Sequence, residues 1–437
     1  GQDCPDCSAI WDYTNGNSFT QPLTPLLPSG IPYDFFCCGH AFLPNGNLFV
    51  AGGTIALNPS LGLPSSFIFN AGTLKWQTKL YDMDHGRWYP TLTRLSDSRI
   101  LAVAGFDENG LLNKVPEIFT PRGWRSFTSP TTISYPNYTA ILLLEDGRLF
   151  SPGNNRDNGE AFIITLPSSF SQPITQKIVK GLVNPTFSKY ACVVLLPPAQ
   201  DQKIMFIGGY DSERQTEPTS RRVNVVDLKS SAPVYTSAPP LRFGRCDHQA
   251  IILPDRTVLV TGGTRIRNSK PDAVFAAELY NPRNGTWTTL ASASVPRLYH
   301  SVGLLLPDGR VLSAGSNVDS KDYEYRLEIY SPPYLFKGQR PVITANLTGV
   351  EISYNQTITI ETTQTSDIKW VELIRPSAVT HSVDVEQRLI DLPFTVNNNK
   401  LQVQIIGNSN LAPSGWYMLF IVNRKSIPSK AIWVHLT

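Results

Sequence analysis

The sequence predicts an all-β chain, a bladed propeller followed by a smaller sandwich, on three observations. Pairs of small residues recur at Gly52-Gly53, Ala104-Gly105, Pro152-Gly153, Gly208-Gly209, Gly262-Gly263 and Ala314-Gly315, their second members 52, 48, 56, 54 and 52 residues apart. After Pro332-Pro333 this spacing stops and short alternating strands take over. No stretch carries the long 3.6-residue period of a helix.

Each small pair closes the same phrase of apolar run, turn and second apolar run. The turns are Pro44-Asn45-Gly46, Ser96-Asp97-Ser98, Glu145-Asp146-Gly147, Pro198-Ala199-Gln200, Pro254-Asp255-Arg256 and Pro307-Asp308-Gly309. Asn-Gly and Asp-Gly accept positive φ, which two-residue hairpin loops need. A period near 50 with Gly-Gly closing the second strand is that of a kelch-type β-propeller blade. Outer strands follow at Ser66–Asn70, Ala277–Asn281 and Leu327–Ser331. Ala9-Ile10-Trp11-Asp12-Tyr13 reads as a further copy with no inner hairpin before it. The expectation is a seven-bladed propeller over residues 1–335 whose first blade is incomplete.

Residues 336–437 follow a different pattern. Gln356–Ile360, Lys369–Ile374 and Trp416–Val422 alternate over short lengths, as expected of an immunoglobulin-like β-sandwich.

Composition narrows the function. The 437 residues are 41% hydrophobic and 17% charged, with a net charge of +3 and scattered basic residues. That leaves no electrostatic footprint for nucleic acid. No apolar run approaches the roughly 18 residues of a membrane-spanning helix. Gly1-Gln2-Asp3-Cys4 does not read as a signal peptide, so any such segment is expected to have been removed or left out. Cys4 and Cys7 form a lone CxxC, read as a short disulfide rather than a zinc site, because no second pair stands at similar spacing. Asn137, Asn284, Asn346 and Asn355 each begin a glycosylation sequon. Together these features give the expectation of a secreted, monomeric glycoprotein.

The chemistry gathers ahead of the blades. Cys37, in Phe36-Cys37-Cys38-Gly39-His40, and Tyr89, in Arg87-Trp88-Tyr89-Pro90, each lie fifteen residues before the first member of a small pair. Counted to Ala314, Tyr299 of Arg297-Leu298-Tyr299-His300 stands at the same distance. Starts of inner strands cluster at one mouth of a propeller channel, so the three are expected to converge. Taken singly, each is more simply a packing residue, and a lone inner-strand Cys a small buried hydrophobe. Their coincidence with the adjacent His300 favours a metal site. Phenolate oxygen and imidazole nitrogen suit copper(II), and one ligand is then lacking. Of the remaining histidines, His381 lies in the second domain inside an expected hairpin, while His40 and His248 lie in blade strands and fit either core or channel positions.

With these motifs, and with Thr380-His381-Ser382 followed by Gln387-Arg388, the chain resembles the copper radical oxidases, the galactose oxidase and glyoxal oxidase family. The resemblance implies that a thioether joins Cys37 to the ring of Tyr89, and that this cross-linked tyrosine ligates copper and holds a stable radical. It implies that Tyr299 is the axial ligand and proton acceptor, and that His300 and His381 are the imidazole ligands. It implies two-electron oxidation of a primary alcohol or small aldehyde, or of a carbohydrate, with dioxygen reduced to hydrogen peroxide. Phe106-Asp107 stands where galactose oxidase has a tryptophan, and Arg87-Trp88-Tyr89-Pro90 is nearer the glyoxal oxidase type. The alternative from the sequence is a non-catalytic propeller that binds glycans or proteins.

Overall fold

Apolar residues on either side of each turn pair as antiparallel hairpins, and each hairpin takes on outer strands. This is a computed structural model, and it describes all residues except 1–7, 17–18, 27–29, 31, 78–79, 129–134, 154–159, 184–188, 211–217, 318–322 and 345–346. Cys4, Cys7 and the sequon at Asn346 lie outside the described residues. The chain forms two compact units, 1–139 with 166–175, and 140–165 with 176–437. The sequence boundary at 335/336 falls within the second unit.

The first unit holds the strand pair Ile10–Trp11 and Phe19–Thr20 and the first two blades. Blade one builds on Gly39–Phe42, Leu48–Ala51 and the long strand Ser60–Asn70. Blade two is the four-stranded sheet Thr91–Arg94, Ile100–Val103, Glu117–Thr120 and Gly123–Ser126. Ala41, Phe49, Leu92 and Ile100 share one buried apolar cluster between them. Ile10–Trp11 and Phe19–Thr20 form a two-stranded sheet of their own.

Blade three runs from Leu142–Leu143 to Thr175–Val179, blade four from Cys192–Leu195 to Tyr235–Ser237, and blade five from Cys246–Ile252 to Thr286–Ser292, each with four strands in sequence order. Blade six has three strands, Val302–Leu305, Val311–Ala314 and Glu328–Tyr330. The C-terminal sandwich packs a five-stranded sheet, with Ile368–Arg375 and Gly415–Asn423 at its centre, over the three-stranded sheet Thr357–Glu361, Lys400–Gln404 and Phe394–Asn397. Phe150, Val193 and Phe206 of the blades and Leu373, Tyr417 and Leu419 of the sandwich belong to one cluster of buried side chains.

A buried arginine clamp repeats from blade to blade. Arg87 donates to Ala104 O at 2.8 Å and to Glu117 at 2.7 Å. Arg245 donates to Gly262 O at 2.9 Å and to Glu278 at 2.7 Å. Arg297 donates to Gly315 O and, at 3.2 Å, to Glu328. Each links the start of an inner strand to a small residue closing the hairpin and to a glutamate on the third strand. The small pair also admits the next blade. Gly53 N donates to Arg87 O at 3.0 Å, and a Cβ on Gly52 would come within 2.3 Å of that same carbonyl oxygen.

Candidate metal centre

At or shortly before the start of each inner strand one non-glycine residue adopts positive φ. These are Cys37 (57°), Tyr89 (69°), Tyr138 (48°), Tyr190 (60°), Asp247 (54°) and His300 (66°). Three sit third in a hydrogen-bonded turn: Cys38 N reaches Phe35 O at 3.0 Å, Thr139 N reaches Pro136 O at 3.1 Å, and Ser301 N reaches Leu298 O at 3.0 Å. Positive φ at that position is the mark of a type II turn, which favours glycine. At Tyr89 the fourth residue is Pro90, which has no N–H to close the turn. Bulky residues in the left-handed region cost of order 1–3 kcal/mol each, and such strain concentrates at functional sites.

This corrects the sequence register in one place. The clamp acceptors Ala104, Gly262 and Gly315 are equivalent, so the small pair of blade six is Gly315-Ser316 rather than Ala314-Gly315. His300, fifteen residues before Gly315, is therefore the counterpart of Cys37, Tyr89 and Asp247, and Tyr299 is one residue ahead of that position.

In the first unit Cys37 and Tyr89 come together. Tyr89 N donates to Cys37 O at 3.0 Å, and Tyr138 N to Tyr89 O at 3.2 Å. The Cys37 thiol is buried, which pushes its pKa far up, and its side-chain contact with Tyr89 pulls the other way. Trp88 leans on the half-buried Tyr89 ring at 4.5 Å and Tyr138 meets it edge-on at 5.1 Å. Tyr138 Oη donates to Cys38 O at 3.0 Å, fixing the chain beside the two cysteines. Cys38 is half-buried and, like Cys37, forms no disulfide.

In the second unit Tyr299, His300 and His381 form a cluster of three rings. Centroids lie 3.9 Å apart for Tyr299–His300, 5.1 Å for Tyr299–His381 and 4.5 Å for His300–His381. The imidazole nitrogens available for ligation on the two histidines lie within 4.8 Å of one another. His300 gives its Nδ1–H to Asn317 Oδ1, which places the lone pair on Nε2. Burial lowers the His300 pKa and the Arg267 charge lowers it further, against the Asn317 bond, so the ring favours the neutral form that ligates metals.

His381 arrives on a tight sandwich hairpin. Thr380 and Val383 exchange backbone bonds of 3.0 and 2.8 Å around His381 (φ 51°) and Ser382 (φ 64°). Positive φ at both central residues is the type I′ turn, again one that favours glycine or asparagine. His381 Nδ1 is 2.6 Å from Thr380 Oγ1. Gln387 anchors the segment on blade five, donating to Ala250 O at 2.8 Å and accepting from Ile252 N at 3.0 Å. Cys192 Sγ reaches Ser382 O at 3.5 Å.

Tyr190, Asp247 and Arg267 were not singled out in the sequence. Arg267 lies over Tyr190 at 3.9 Å and Tyr299 at 5.1 Å, with Asp247 at 3.6 Å. Burial raises the Asp247 carboxyl to about 6 in spite of Arg267. The fifteen-residue spacing to Gly262 held the clue to Asp247, whereas Tyr190 lies eighteen residues before Gly208 and off that spacing. His248, by contrast, is wholly buried in its blade strand.

Residues 340–436 match the family described as "Galactose oxidase-like, Early set domain", and residues 196–334 match "Glyoxal oxidase N-terminus". The chain belongs to the galactose oxidase and glyoxal oxidase family of copper radical oxidases. Among relatives in that family, it is 28% identical to a galactose oxidase of Gibberella zeae, matching over 98% of this chain and 64% of that protein. The chain thus spans less than two thirds of the length of that relative. It is 25% identical to the aldehyde oxidase GLOX1 of Arabidopsis thaliana, over 99% of this chain and 75% of that one. It is 27% identical to the aldehyde oxidase GLOX of Vitis pseudoreticulata, over 100% of this chain and 86% of that one. A fungal alcohol oxidase solved in complex with copper has the same fold, with TM-score 0.81, 21% identity and coverage of 97% of this chain and 89% of that one.

Proposed function

We propose that this protein is a secreted copper oxidase that converts a primary alcohol or small aldehyde and releases hydrogen peroxide. The observation that carries the reading is the meeting of Tyr299, His300 and His381 from sequence positions more than 80 residues apart. Two imidazole nitrogens and a phenol oxygen suit copper(II), and the Asn317 bond orients His300 as a ligand. Tyr89 completes the proposed ligand set.

When bound, copper would supply a one-electron acceptor beside the radical of the cross-linked Tyr89, so that a two-electron oxidation needs no flavin and dioxygen can take both electrons away as peroxide. The chain's residues do the rest. Forming the thioether takes one hydrogen from the Cys37 sulfur and one from the Tyr89 ring, both passing to dioxygen. Sulfur on the ring spreads the unpaired spin and makes the radical easier to form. Trp88 and Tyr138 cover that ring and limit water beside it. Tyr299 Oη is the proposed acceptor of the substrate hydroxyl proton.

The test is copper loading in air, followed by peptide mapping and a peroxide assay over alcohols, aldehydes and sugars. The expected result is a Cys37–Tyr89 linked peptide lighter by two hydrogens, with substrate-dependent peroxide. Unlinked peptides and no peroxide from fully loaded protein would refute the reading and leave a binding propeller.

A further inference from the structure

Tyr138 stands ahead of blade three, yet three of its contacts run back to the segments that carry Cys37 and Tyr89. Its backbone N–H donates to Tyr89 O at 3.2 Å. Its Oη donates to Cys38 O at 3.0 Å. Its ring meets the Tyr89 ring edge-on, with centroids 5.1 Å apart and planes at 90°. Tyr89 N in turn donates to Cys37 O at 3.0 Å. One buried side chain thus spans the peptide beside Cys37 and the ring that the Cys37 sulfur must reach. Tyr138 holds this place with φ at 48°, in a turn closed by Thr139 N on Pro136 O. Glycine would hold that φ without strain, so the position is one that keeps its side chain.

We infer that Tyr138 is a positioning residue for formation of the Cys37–Tyr89 thioether: it clamps the Cys37-Cys38 segment against Tyr89 and holds the Tyr89 ring with one edge towards the sulfur. This rests on the proposed function, in which the sulfur–carbon bond forms as the thiol and a ring carbon each give up a hydrogen to dioxygen. Two side chains from different blades join at a useful rate only if the reacting atoms are held at contact distance and in the right orientation. The Tyr89 ring can turn about its side-chain torsions, and an edge-on neighbour restricts that turning. The Oη bond does the corresponding work on the sulfur side. It fixes the peptide next to Cys37, whose own turn, with φ at 57°, sets the direction of the thiol. Trp88 also leans on the Tyr89 ring, but it is the next residue in the chain and moves with it. Tyr138 comes from a third blade start and ties both partners to it.

The experiment adds copper in air to the full-length protein and follows the Cys37–Tyr89 linked peptide over time by mass spectrometry. Tyr138→Phe keeps the ring and loses the Oη bond, and linking is expected to slow by roughly three- to tenfold. Tyr138→Leu loses both and is expected to slow linking by roughly ten- to a hundredfold, so that the Phe variant stands between it and wild type. A merely structural role would lower the urea midpoint and leave linking in the folded protein unchanged. A second arm needs no copper. In protein carrying Cys38→Ser and Tyr89→Cys, diamide takes two hydrogens and leaves a disulfide between positions 37 and 89, whose backbones the Tyr89 N–H bond keeps close together. Adding Tyr138→Phe is expected to slow that disulfide by roughly three- to tenfold as well. The Phe variant carries the decision if the Leu variant does not fold, and a wild-type rate for Tyr138→Phe in either arm would overturn the inference. If the copper-loaded wild type forms no linked peptide, the proposed function fails and the disulfide arm alone decides the part played by Tyr138.

Discussion

Replacing Arg87 with Met should be among the costliest single changes in the first unit. Arg87 is fully buried and donates to Ala104 O, to Val115 O and to Glu117. Met fills most of the volume but leaves the Glu117 carboxylate 1% exposed. That carboxylate keeps the Asp84 N–H at 2.8 Å and the longer Ser126 contact at 3.5 Å, and it loses its arginine partner. Removing one partner of a buried pair costs about 3–5 kcal/mol. Arg297→Met breaks the same clamp in blade six. There Glu328 is 22% exposed and keeps both Ser294 N and Oγ at 2.7 Å, so the loss should be about 1–3 kcal/mol.

Urea unfolding, followed by tryptophan fluorescence and compared with wild type, ranks the two variants. The double change Arg87→Met with Glu117→Gln removes the stranded charge and should recover at least about 1 kcal/mol of the loss. Equal midpoints for the Arg87 and Arg297 variants, or no recovery in the double variant, would refute the argument that burial of the glutamate sets the cost. The Arg87 variant should also yield less Cys37–Tyr89 linked peptide, because the side-chain clamp to Ala104 O and Glu117 holds the chain two residues ahead of the strained Tyr89 turn.

Tyr299→Phe keeps the ring packing and should retain copper and the Cys37–Tyr89 bond, while turnover falls by roughly 10²–10⁴ fold; paired electron paramagnetic resonance and peroxide assays check it. Burial raises the Glu372 carboxyl to about 8 against Arg256, so its contribution to stability is complete below the unfolded carboxyl pKa and is lost as pH rises through about 8; urea midpoints at pH 5 and 8.5 should differ less in Glu372→Gln than in wild type. On expression through a secretory route Asn284 should carry a glycan, since it is exposed in a hairpin turn with Thr286 Oγ1 at 2.8 Å, and Asn284→Gln should remove that mass.

The blades were legible because the period was long, repeated and punctuated by turn residues with a steric reason to be there. Cys37 and Tyr89 were legible through that period. Tyr299 was assigned its place from Ala314-Gly315, and the assignment slipped because Ala314 looks as small as Ala104. What separates them is the Arg297 acceptor, Gly315 O, which is a tertiary contact. Arg267 was invisible for a related reason. It leaves the hairpin after Gly262-Gly263 without a repeat partner, and only packing brings it over Tyr190 and Tyr299. The paired turn at His381-Ser382 carries neither Gly nor Asn, so local turn chemistry gave no signal for it.

The clamps and the strained turns belong to one design. A repeated fold offers the same backbone position once per blade, and here that position demands positive φ of Cys37, Tyr89, Asp247 and His300. Glycine would satisfy the backbone at each and supply no chemistry. Three of the six positions lie two or three residues after a clamping arginine, Arg87, Arg245 or Arg297. A buried arginine with carbonyl and carboxylate partners fixes the chain just ahead of the strained residue. The energy spent there restricts the alternatives open to the side chain that follows. Relaxing the turn should therefore stabilise the fold and harm the site together: Asp247→Gly, which removes the side chain facing Arg267, should not lower the urea midpoint as Arg245→Met does, yet should lower turnover, because Arg267 beside Tyr299 loses its counter-charge. A loss of stability in Asp247→Gly as large as in Arg245→Met would show that the turn carries no strain and that Asp247 is held there for packing alone.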